Sequence, residues 1–123
     1  MKKTTLTAPL VAMMLVTIST AAQAQFITAE RLIQFCDGTY RDEANANPTF
    51  YTVCLSYLSA IADATTTLTE AGAMKPQICF PVGVENEQLR RAFVLEMHAQ
   101  PEGWHLAASA QALQAFREQW PCG

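Results

Sequence analysis

Between Cys79 and Cys122 the chain is punctuated like a helical hairpin with a staple at its open end. Cys79-Phe80-Pro81-Val82-Gly83-Val84 precedes a helical run, Gln100-Pro101-Glu102 breaks it, and a second run ends at Trp120-Pro121-Cys122. If both runs make about four turns, the start of the first lies beside the end of the second. A disulfide between the two cysteines would then close the hairpin. Few folds other than a small helical domain fit this arrangement.

The N-terminus resembles an export signal. Lys2 and Lys3 form a basic start, Leu6 to Ile18 is apolar, and Ala22-Gln23-Ala24 is a small-x-small cleavage sequence. The apolar run is interrupted by Thr and Pro and is short for a membrane span. A cut after Ala24 leaves residues 25–123, enough for one domain with a modest core. No lipobox cysteine follows the apolar run, and no second segment is apolar enough to span a membrane. The expected compartment is the periplasm.

The cysteines agree with export. Cys36, Cys54, Cys79 and Cys122 all follow the leader, and an even number in an oxidising compartment points to two disulfides with three possible connectivities. There is no Cys-x-x-Cys, so zinc and redox readings lack their closely spaced pair. The leader carries two of the eight basic side chains and none of the eleven acidic ones, so the remainder is more acidic than the whole-chain charge of −3. Nucleic acid and anionic membrane are therefore poor partners, whereas a basic protein is compatible.

Periodicity and punctuation give four helices. The first spans about Thr28 to Cys36, with Thr28 as N-cap and Leu32, Ile33 and Phe35 apolar, and Asp37-Gly38 stops it. The second spans about Pro48 to Ala71, with Asn47 as cap and Pro48 at the first position, where no N–H is needed. Its apolar positions are Phe50, Cys54, Tyr57, Leu58, Ile61 and Leu68. Thr65, Thr66 and Thr67 weaken it, and Gly72 ends it. The third spans about Asn86 to Ala99, with Leu89, Ala92, Phe93 and Met97 on one face. The fourth is expected from about His105 to Gln119, with Leu106, Ala110, Leu113 and Phe116 inward. Ile78 to Val84 reads as an extended connector, and Asp37 to Asn47 as a loop. The fold class is all-α, a four-helix domain of two αα-hairpins. Antiparallel hairpins bring Cys36 to Cys54 and Cys79 to Cys122, which is the expected pairing.

No catalytic constellation emerges. Ser56, Ser59 and Ser109 sit mid-helix with no nucleophile elbow and no Ser-x-x-Lys. His98 and His105 flank the Pro101 turn without a His-Glu-x-x-His motif, so neither a metal nor another cofactor is expected. Asp63 is the one charge in an otherwise uncharged stretch of the second helix, with no neighbouring acid to make a general acid–base pair. It reads as a structural acceptor or a solvated side chain. Trp104, at the turn, is either an interface anchor or packed beneath the turn. The chain reads as a binding protein and not an enzyme.

The ordered set of motifs resembles the Rap/Tai family of bacterial immunity proteins. The matching residues are Cys54, Leu55, Tyr57, Asp63 and Ala64; then Cys79, Pro81, Gly83, Val84, Gln88 and Leu89; then Pro101, His105, Ala112, Leu113, Pro121 and Cys122. Ser56 and Ala60 stand where that family usually has glycine, and Glu85 where a capping Thr is usual. The resemblance implies a periplasmic protein that binds a peptidoglycan amidase effector of type VI secretion and blocks its active-site groove. It also implies a homodimer. On that reading the turn from Gln100 to His105 and the polar face of the third helix meet the partner, which nominates Glu87, Arg90, Arg91, His98, Glu102, Trp104 and His105. The alternative class is a periplasmic stress or chaperone-like protein, which would expose apolar surface at low pH.

Overall fold

The structure is a computed structural model and describes residues 26–38 and 48–123. The expected leader, the Asn47 cap and most of the loop before it lie outside the described residues. Four helices follow in order: α1 (Ala29–Cys36), α2 (Pro48–Glu70), α3 (Asn86–Ala99) and α4 (Ala108–Gln119). Among the described residues there is no strand, only isolated antiparallel bridges between Thr28 and Ala107 and between Ile78 and Pro121. None of these helices is long and apolar enough to cross a membrane.

Local chemistry sets the helix ends. Thr28 is extended, and its hydroxyl accepts from the Arg31 N–H at 3.3 Å, as an N-cap should. At the far end of α2 the Ala73 N–H reaches the Leu68 carbonyl and the Gly72 N–H reaches that of Thr69. This is a Schellman motif, and Gly72 supplies the positive φ of 71° that it requires. The threonine-rich end of α2 is helical, and two of its hydroxyls bond back onto the helix. Thr65 donates to the Ile61 carbonyl and Thr69 to that of Thr65. At α3, Gln88 Oε1 accepts the Glu85 N–H at 2.8 Å, the reciprocal half of a capping box. Glu85 thus stands at the N-cap where threonine was the expected residue.

The core is shared by all four helices. Leu32 and Ile33 of α1, Leu58 of α2, Phe93 and Met97 of α3, and Phe116 of α4 are fully buried. Ala108, Ala112 and Ala115 recur along one side of α4, where small side chains let it lie close to its neighbours. Two disulfides lock the hairpins: Cys36–Cys54 joins α1 to α2, and Cys79–Cys122 joins the residues before α3 to those after α4. The first is buried within the core, whereas Cys79 of the second is exposed. Phe80 packs edge-on against Phe116 at 5.6 Å and lies 5.3 Å from Trp120, closing the core beneath the second bridge.

The start of α4 differs from the sequence expectation. His105, Leu106 and Ala107 are not helical, because their backbone groups are committed elsewhere. The Leu106 carbonyl accepts from the Ala29 N–H at 2.9 Å, and the Ala108 N–H donates to Ile27 at 3.0 Å. Leu106 and Ala110, expected inward, are exposed, and so is Leu68 in the last turn of α2.

Candidate functional site

The turn between α3 and α4 is built by consecutive short-range bonds. The Gln100 N–H closes the last turn of α3 on Glu96, the Gly103 N–H reaches Gln100, and the Trp104 N–H reaches Pro101. Pro101–Gly103 is a single 3₁₀ turn. Beneath it, Gln114 of α4 donates to Glu96 Oε1 at 3.0 Å and Gln100 Oε1 at 3.1 Å, while Gln100 also donates to Glu96. Gly103 is buried, and a Cβ there would lie 2.6 Å from Gln111 Oε1, the end of a flexible side chain, so a larger residue obliges the Gln111 amide to move.

Trp104 packs partly beneath this turn. Its ring is half-buried, and its indole N–H donates to the Met97 carbonyl at 2.7 Å. It is therefore a support of the turn as well as part of its surface. Pro101, Glu102 and His105 form the exposed tip. His98 is exposed nearby, with Nε2 3.7 Å from Asp37 Oδ2 at the end of α1 and its ring edge-on to Trp104.

A second group gathers at the opposite end of α3. Glu87 accepts from the Tyr51 hydroxyl at 2.5 Å, from Arg90 at 2.6 and 2.9 Å, and from Arg91 at 3.2 Å. These donors, the Arg90 guanidinium foremost, hold the Glu87 carboxyl down at about 2. The same contact raises the Arg90 pKa, and the Glu87 carboxylate beside Tyr51 raises that of the phenol. Arg90 also donates to the Cys36 carbonyl at 2.6 Å and lies over the Tyr51 ring. Glu87 and Arg90 thus bind α3 to the ends of α1 and α2, while Arg91 remains largely open.

The seven nominated residues accordingly form two groups and not one. Glu87, Arg90 and Arg91 lie near the start of α3. His98, Glu102, Trp104 and His105 lie at its end, roughly 15 Å along the helix axis. Sequence reasoning missed Tyr51 and Gln114, which are distant in sequence from the residues they hold. Among the described residues no group of three or more His, Cys, Asp or Glu could hold a metal. Ser56 is exposed, and the Ser59 hydroxyl donates to the Leu55 carbonyl at 2.7 Å.

The model of the Rap1a immunity proteins matches residues 28–122, so the chain belongs to that family. Membership makes it an immunity protein, a class that acts by binding an effector protein. No curated protein and no solved structure matches the chain significantly.

Proposed function

We propose that this protein is a periplasmic immunity protein that neutralises a peptidoglycan amidase delivered by type VI secretion. It does so by plugging the active-site groove of the enzyme. The observation that carries the reading is the braced turn at Gln100–His105 on a chain of the immunity family. A groove-blocking element must be ordered before it binds, because ordering on binding subtracts from affinity. Here Gln114, Trp104 and the α1 N-terminus hold the turn from three sides.

In this reading Glu102 and His105 enter the groove, and His98 and Arg91 contact its rim. The protein performs no bond chemistry; it excludes substrate. The leader through Ala24 exports the chain to the compartment where peptidoglycan is hydrolysed, and the two disulfides suit that compartment. A homodimer would present two such turns, and light scattering on the purified protein tests it.

Co-expression tests the function. A periplasm-directed cognate amidase should lyse cells, and the full-length chain should prevent lysis. The same chain lacking residues 2–24 should not protect. Lysis despite accumulation of the exported protein would refute the reading.

A further inference from the structure

Asp63 has no role in the turn or in the cluster around Glu87, and although exposed it borders a groove. Together with Ser59 and Thr66 of α2 it lines a groove of about 380 Å³, whose far wall is the start of α3 at Asn86. The floor is apolar, made by half-buried Phe80 and buried Leu89. This groove lies at the end of α3 opposite the Gln100–His105 turn.

Of the polar side chains that line the groove, Ser59 and Asp63 favour a donor, while Thr66 and Asn86 can either donate or accept. The Ser59 hydroxyl proton is already given to the Leu55 carbonyl at 2.7 Å, so its oxygen is left to accept. The Asp63 carboxylate only accepts, and among the described residues no side chain pairs with it. The positive end of the α3 dipole, worth about half a charge, opposes this preference. The full charge of Asp63 acts against it. At the rim, Val82 is fully exposed on a tight turn closed by the Val84 N–H on Pro81, with Gly83 at φ 86°. The Asp63 carboxylate and the Ser59 oxygen above an apolar floor match a side chain with an aliphatic stem and a cationic head.

We infer that the groove between α2 and the start of α3 is a second docking site, which receives a lysine or arginine side chain of a partner protein on Asp63. The stem lies over Phe80 and Leu89, the cationic head donates to Asp63 and Ser59, and an apolar neighbour of the basic residue meets Val82. The net acidity of the chain favours approach of such a partner. The site goes beyond occlusion by the turn, because it would anchor a partner away from any catalytic groove.

The test needs no effector. The isotope-labelled protein is titrated with Nα-acetyl-arginine methylamide and, separately, with its uncharged citrulline counterpart, and amide resonances are followed. The arginine probe should give saturable shifts at Ser59, Asp63, Thr66 and Asn86, with a dissociation constant on the order of millimolar. Asp63→Asn should weaken it about tenfold or more, leaving other resonances in place. The citrulline probe should bind no better than to that variant. Any of three results overturns the site: no saturable shift, equal binding of both probes, or shifts spread equally over Glu70, Glu102 and Glu118. Since no amidase takes part, failure here leaves the proposed function standing, and failure of that function leaves this site to its own test.

Discussion

The backbone N–H of Glu30 donates to the carbonyl of Trp104 at 2.8 Å. With the neighbouring bond from Ala29 to Leu106, it spends two donors that a helix N-terminus cannot satisfy internally on the carbonyls of the candidate binding turn. The start of α1 therefore braces a turn more than seventy residues away in sequence.

Ala29→Pro tests that brace with little direct harm to the helix. Ala29 is the first helical residue, where proline is favoured, and Thr28 before it is already extended at φ −83°, ψ 157°. The substitution removes one donor and crowds the Leu106 carbonyl. The expected cost is about 1–2 kcal/mol in urea unfolding, with unchanged far-ultraviolet circular dichroism. Faster hydrogen exchange at Trp104 and Leu106 should accompany it; unchanged exchange would mean that the brace is unimportant.

Gly103→Ala should destabilise the fold by no more than about 1 kcal/mol, since the new methyl meets the end of the flexible Gln111 side chain, 2.6 Å away, which can shift. The same change in a Gln111→Ala background should cost clearly less, because the clash is gone. Additive costs in that cycle would place the strain elsewhere.

The fold and the site were legible in the sequence to different depths. Helix α3 matches its expected bounds because Asn86 and Pro101 mark both ends by local chemistry. The disulfide pairing follows from two antiparallel hairpins. The start of α4 was misplaced because the polar groups of Leu106 and Ala108 are spent on Ile27 and Ala29, which periodicity cannot register. The double role of Trp104 depends on Met97 being the partner of its indole. The sequence nominates Arg90 as a partner contact, and only folding brings the Cys36 carbonyl to it.

Acid should weaken the protein through Glu87. Its folded pKa of about 2 lies below the ordinary 4.5, so its contribution is complete above pH 4.5 and lost as pH falls towards 2. With the side chain 30% exposed, solvent screening leaves on the order of 1 kcal/mol. Glu87→Gln should flatten that part of the stability profile between pH 5 and pH 2. An unaltered profile in the variant would assign acid sensitivity to other carboxyls. An apolar dye should stay unbound at mildly acidic pH, whereas a chaperone-like protein would take it up there.

The two disulfides should open in order. Cys79 is exposed, while Cys36 and Cys54 are 2% and 0% exposed. Graded dithiothreitol followed by alkylation and peptide mapping should label Cys79 and Cys122 first. By loop closure the bridges, spanning 18 and 43 residues, contribute about 3 and 4 kcal/mol respectively. Labelling of Cys36 and Cys54 at the lower reductant concentration would contradict the burial argument.

Inhibition of the cognate amidase by a turn variant tests the central claim most directly. Glu102 and His105 are exposed at the tip and carry none of the turn's bracing bonds, so Glu102→Arg with His105→Glu should leave melting unchanged. The wild-type protein should inhibit peptidoglycan hydrolysis stoichiometrically, and the double variant should need about 30-fold more protein for the same inhibition. A normally folded double variant that inhibits as well as wild type would show that this turn is not the element that blocks the enzyme.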